Sequence, residues 1–348
     1  MNSSATLERA SGSDRAYAVK LLSSVCCLAG SPSFVDDLRT GLRQRGLLSA
    51  IQRHDSAPVF AWLLEVLSYQ GIADSVATGY MQRHGVVTAR HVQAGLAQSP
   101  SCRKLQSYWQ FYGCRYRKGA GTCAEPAHLP ACPLPRHDLR NGTLNQIAYS
   151  LFLFIRDLAD GDLIGWIDRQ LADTAADGSA SNLALQRAAL LEPLRNVHGV
   201  SDKVLSMALS CLLIGAGRQR PHWFAVGASF IAIDSLVHNC LHRTGILARF
   251  GAEHPYGPAC YGNGGCAELL AELAGQIDAR AFNATFPKTF PRFVQHAIWR
   301  YCSQSGLNVC NGLRIDDRKQ CDNIYCQLRS QCDRIALAHT IKSMKSAV

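Results

Sequence analysis

Two residues in this chain carry the chemistry needed to break a glycosidic bond. Lys203 closes the segment Gly199-Val200-Ser201-Asp202-Lys203, and Asp234 stands in Ala232-Ile233-Asp234-Ser235-Leu236-Val237. The first segment predicts a tight hairpin between two helices, and the second the start of a later helix carrying one acid. A hairpin of this kind turns backbone N–H groups outward, where they can hold a phosphate. An amine can attack a sugar carbon, and a carboxylate can steady the cation-like sugar that forms. Each residue also suits a plain structural role. Gly-x-x-x-Lys turns are common, and an Asp at a helix start is usually an N-cap.

The second chemical signal is cysteine. The chain holds 15 cysteines, and Cys310, Cys321, Cys326 and Cys332 fall close together near its C-terminal end. Thiolates suit zinc or an iron–sulfur cluster, and four is a sensible ligand count. Cys302 is an alternative to Cys310. Arg314, Arg318 and Lys319 lie between the first two of the four. An odd cysteine count without a convincing secretory signal favours metal ligands and buried thiols over a disulfide framework. Two further groups mix Cys and His. Cys114, Cys123, His128, Cys132 and His137 offer zinc ligands, but no Cys-x2-Cys pair is present, and a packed cysteine-bearing loop is the alternative. His254, Cys260 and Cys266 lie in a Gly/Pro-rich loop and offer metal ligands, with a shaped surface loop as the alternative.

The elements that must position these groups are helical. Apolar residues recur at helical spacing in Val59–Tyr69, Leu144–Leu158 and Leu205–Leu213, while strand-like alternation is sparse. A chain of 348 residues that is 47% hydrophobic has a substantial core and room for two domains. No run reaches transmembrane length. The formal net charge is +10, which points to a polyanionic partner. Arg103, Lys104, Arg115, Arg117 and Lys118 surround Tyr108, Trp109, Tyr112 and Tyr116. That mixture either grips phosphates and stacks a base, or forms an amphipathic helix with its aromatics inward. Asp157, Asp160, Asp162 and Asp168 offer a cation site, or else mark a helix break at Ala159-Asp160-Gly161-Asp162. Residues 1–54 read as a polar leader and a short helix, 55–185 as a helical lobe with a Cys/His insertion, 186–250 as the hairpin unit, and 251–348 as C-terminal helices with the cysteine loop.

The order of these segments resembles the helix-hairpin-helix (HhH-GPD) DNA glycosylases of the endonuclease III superfamily. The family's Leu-Pro-Gly-Val-Gly-x-Lys hairpin is similar to Leu194–Lys203 here, and its Val-Asp-Thr-His segment to Ile233-Asp234-Ser235-Leu236. Val66–Ile72 resembles the helix whose glutamine enters the DNA stack, which places Gln70 in that role. Tyr108–Lys118 is similar to the family's Trp/Gly-Tyr-x-x-Lys helix. The closing Cys-x5-Cys is similar to the end of its cluster loop. The resemblance covers roughly residues 55–335. Ser201 replaces the second hairpin glycine, Ser235-Leu236 replaces Thr-His, and the stretch from Lys203 to Asp234 is longer, with the extra residues expected in a loop at Gly215–Trp223.

The resemblance implies a mainly α, two-lobed HhH-GPD-like fold whose N- and C-termini pack together. It implies Lys203 as Schiff-base nucleophile, Asp234 as catalytic acid, and DNA contacts at Gln70, Gly199, Ser201, Arg314, Arg318 and Lys319. It also implies an iron–sulfur cluster (4Fe-4S) on Cys310, Cys321, Cys326 and Cys332, with zinc as the alternative. The partner would be double-stranded DNA and no membrane, for a monomer in the nucleoid-associated cytoplasm. The expected activity is a DNA repair glycosylase with AP-lyase chemistry. A non-catalytic DNA-binding protein on the same fold is the alternative, and a metal-dependent nuclease or transferase built on residues 114–137 is a third reading.

Overall fold

The computed structural model describes residues 10–68, 76, 79, 81–83, 85–98, 102–111, 114, 116–117, 122–123, 143–174, 180–197 and 199–337. It is mainly helical. In chain order the helices are α1 (Gly12–Ala29), α2 (Phe34–Gln44), α3 (Leu47–Gln52), α4 (Ser56–Ser68), α5 (Ala89–Gln98), the single turn α6 (Tyr108–Phe111), α7 (Thr143–Asp157), α8 (Leu163–Asp173), α9 (Ala180–Leu194), α10 (Asp202–Gly215), α11 (Pro221–Ser229), α12 (Ser235–Arg243), the short α13 (Ile246–Arg249), α14 (Cys266–Gly275) and α15 (Pro291–Cys302). A two-residue hairpin, β1 (Tyr116–Arg117) with β2 (Thr122–Cys123), is the sheet among the described residues. No single described helix is long and apolar enough to cross a membrane.

The chain divides into two units. One comprises Met1–Asp37 with Gly227–Val348, and the other is Leu38–Val226. The boundaries differ from the segments drawn from sequence: the stretch 186–250 is split within α11.

In the first unit α1 lies along α15, which also packs on α12 and α14. Residues 1–54 therefore contribute more than a polar leader. Ala18, Leu21, Leu22, Val25 and Cys26 of α1 are buried. Gly30 ends α1 where a Cβ would come within 2.8 Å of the Phe293 ring, so only glycine lets the helix close on α15. Phe34, Phe282, Phe286, Phe290 and Phe293 fill the space below as tilted and edge-on pairs. The N-terminal helix is also tied to the tail. Tyr17 Oη donates to the Thr244 carbonyl at 2.6 Å, and Arg249 stacks over the Tyr17 ring while pairing with Asp14 and Asp333.

In the second unit α4 is central, packed against α3, α5, α7 and α10. The aspartates between α7 and α8 form no common cation site. Asp160 and Gly161 take left-handed backbone, and Asp162 caps α8 and pairs with His54. Asp157 accepts from the Tyr108 N–H. Asp168 is held by Arg220, His222 and the Trp223 indole N–H at 2.7–3.0 Å. The expected loop at Gly215–Trp223 is shorter than predicted, because Pro221 already begins α11. The aromatic segment is not one amphipathic helix. It is a 3-10 turn, the single turn α6 and the short hairpin, with Tyr108 buried and Trp109 exposed.

Candidate metal centres and the helical hairpin

Helix α12 organises the chemistry of the first unit. Asp234 is its N-cap: the side chain accepts from the Val237 N–H at 2.9 Å. The residue before it is bracketed by Tyr261, whose hydroxyl accepts from the Ile233 N–H at 2.7 Å and donates to the Ile233 carbonyl at 3.2 Å. Further along α12, His238, Cys240 and Arg243 are all buried.

His238 faces a second group. Its Nδ1 lies 3.3 Å from Cys266 Sγ and 3.5 Å from Cys260 Sγ, and Cys266 Sγ lies 3.4 Å from His254 Nε2. The four ligand atoms all fall within 4.8 Å of one another. The hydrogen bond between the two thiols, with those from His238 and His254, pulls Cys260 far below the ordinary thiol value and pushes Cys266 above it.

Cys240 faces the other way. Its sulfur, with those of Cys302 and Cys310, forms a buried group within 4.8 Å. Hydrogen bonds from Cys240 and Cys302, with the charge of Arg243, lower the Cys310 thiol well below its usual range. Cys310 also shares one small cavity with Cys321, Cys326 and Cys332. The four cysteines singled out by spacing thus line one cavity, but the tight sulfur group around Cys310 is made with Cys240 and Cys302 and not with Cys321, Cys326 and Cys332. Cys302 does not replace Cys310; it neighbours it. Arg243, Arg329 and Arg334 line the same cavity and would offset the charge of thiolates formed there on metal binding. Tyr301 Oη lies 3.1 Å from Cys326 Sγ. A wall with four sulfurs and three arginines fits a thiolate-held metal group. The loop between Cys310 and Cys321 is anchored by buried Ile315 and by Asp317 on Arg243, and it presents Arg314, Arg318 and Lys319 to solvent. Asp316 lies 3.7 Å from both Arg318 and Lys319 and offsets part of their charge.

In the second unit the sequence hairpin is a turn between α9 and α10. Gly199 is exposed with φ 72°, a left-handed conformation that suits glycine. Ser201 precedes α10 in extended conformation, and Lys203 sits half-buried in the first turn of that helix. Arg195 braces the turn, donating to both Asp202 oxygens at 2.7 and 3.0 Å. Lys203 belongs to the second unit and Asp234 to the first. Gln70, His128, Cys132 and His137 lie outside the described residues, and Cys123 is described only as part of β2.

No motif in the sequence singles out His238 or Cys240, and Arg243 stands out only within His242–Ile246, which resembles the family's Arg-x-Gly-like turn. The one signal was local: His238 and Cys240 sit in one short helix beside Asp234, but nothing in their spacing names their distant partners. Comparison of the chain with protein-family models, with curated proteins and with solved structures finds no match.

Proposed function

We propose that this protein is a DNA-binding repair enzyme of the helix-hairpin-helix glycosylase type, with Lys203 and Asp234 as its reactive groups. The observation that carries this reading is the turn at Gly199. It joins two helices through an exposed left-handed glycine and sets Lys203 in the first turn of the second helix. Such a turn offers backbone N–H groups to a phosphate, and the net charge of +10 favours the duplex. Support also comes from the first unit, where Asp234 and the cysteine-lined cavity share one body with the N-terminal helix. In this reading the damaged nucleotide is turned out of the stack and Lys203 Nζ attacks the sugar carbon as the base leaves. The bound cluster would hold the basic loop of Arg314, Arg318 and Lys319 in shape against the phosphates.

One observation favours the non-catalytic alternative: the Asp234 carboxylate is already engaged in capping its own helix. Borohydride trapping separates the two. Full-length protein incubated with an abasic-site duplex and borohydride should give a covalent adduct, and Lys203→Gln should lose it while still retaining the duplex in a gel-shift assay. Duplex binding without an adduct in the parent protein would select the non-catalytic reading. Trapping by Lys203→Gln at the parental level would remove Lys203 from the chemistry.

A further inference from the structure

We propose that His238, His254, Cys260 and Cys266 form a structural zinc site, separate from the cysteines of the C-terminal loop, that fastens the segment Ala252–Cys266 to helix α12. This site lies outside the groups on which the glycosylase reading rests.

The distances are those of a single ion. A tetrahedral zinc with its usual bond lengths to sulfur and imidazole nitrogen places S and N ligands about 3.6 Å apart. Three of the four nitrogen–sulfur separations here are 3.3, 3.4 and 3.5 Å, and the fourth falls within 4.8 Å. Two imidazoles and two thiols are a zinc donor set, whereas carboxylate and carbonyl oxygens would suit magnesium or calcium. Four protein ligands close the coordination shell and leave no position for a reacting water, which makes the site structural. Three of the four residues are buried and His254 is half-buried.

The surroundings prepare the ligands. His254 donates from Nδ1 to the Ala252 carbonyl at 2.7 Å, which leaves the Nε2 lone pair directed at the sulfurs. Cys260 lies on a 3-10 turn, Pro258–Tyr261, and Cys266 is the first residue of α14. The turn that brings them together requires Gly265. A Cβ there would sit 2.9 Å from the carbonyl oxygens of Cys260 and Gly262, with the Ala259 oxygen nearer still. Glu268 steadies the turn by accepting from the Gly264 N–H at 2.7 Å. Because Tyr261, adjacent to Cys260, holds both backbone groups of Ile233, an ion at this site also fixes the N-terminal end of α12.

The test is metal analysis of the full chain produced in zinc-supplemented medium. The parent protein should carry one more zinc per chain than Cys266→Ser, and Cys326→Ser should retain that zinc. To keep the test independent of folding defects, Co2+ is titrated into reduced Cys326→Ser protein. It should give the visible bands of a tetrahedral ion with two thiolate ligands. His238→Cys in the same background should keep the ion and strengthen the thiolate-to-cobalt band by about half, as a third thiolate would. Equal zinc content in the parent and Cys266→Ser would overturn the proposal. So would Co2+ spectra lacking tetrahedral character, or a thiolate band unchanged by His238→Cys.

Discussion

Arg243 Nη1 donates to Cys310 Sγ at 3.2 Å from a residue that is only 2% exposed. Its other nitrogen pairs with Asp317, and its carbonyl accepts from the Ile335 N–H at 2.8 Å. One residue at the end of α12 thus supports the thiol cluster and the basic loop through its side chain and the tail through its backbone carbonyl. A buried cation of this kind is costly unless its partners are charged, so the geometry fits a Cys310 that is thiolate rather than thiol.

Replacing that cation should be severe. Arg243→Met removes one partner of a buried pair and should destabilise the protein by about 3–5 kcal/mol. It should also lower the metal bound by the C-terminal cysteines to the level of Cys326→Ser. Urea unfolding and iron, zinc and sulfide analysis check both parts. A variant with parental stability and metal content would show that Arg243 is not holding a thiolate.

Asp234 has a capping role that can be separated from chemistry. Asp234→Asn keeps a side-chain oxygen for the Val237 N–H and should change stability little. Asp234→Ala loses the cap and should cost about 1 kcal/mol. Both should lose base release from damaged duplexes if the carboxylate charge is used. Base release surviving in Asp234→Asn would assign the residue to capping alone. Equal urea midpoints for the two variants would argue against the cap.

His296 should give the protein an acid-sensitive stability. Burial, aided by Arg292 and Arg300, depresses its imidazole from 6.5 to about 3. The ring stacks on Phe34 at 4.5 Å and on Trp299 at 5.7 Å. Between those two values the unfolded chain takes up a proton that the folded chain refuses, so stability falls as pH falls from about 6.5 toward 3. His296→Phe keeps the stacking and removes this titration. Its melting temperature should therefore decline less steeply than the parent's over that range. Parallel declines would show that His296 titrates normally in the folded state.

The helices were legible because their signal is local. The apolar spacing in Val59–Tyr69 and Leu205–Leu213 matches α4 and α10 closely, since one face of each must be buried. The hairpin was legible for a similar reason: Gly199 is the one residue in its turn without a Cβ to resist left-handed backbone. The aromatic segment around Trp109 was not, because its composition suits an amphipathic helix as well as the broken turns it adopts.

The amino-acid sequence by itself determined which residues could be ligands and that Cys310, Cys321, Cys326 and Cys332 were close enough along the chain to meet. A short loop can close on a metal at small entropic cost, so proximity in sequence is informative there. Only the tertiary structure decided that His238 joins His254, Cys260 and Cys266, that Cys240 and Cys302 crowd Cys310, and that α1 packs beside α15. Those pairings join distant parts of the chain. They are set by which apolar faces bury one another, and a ligand's partner is then whatever side chain the packed helices deliver within bonding distance.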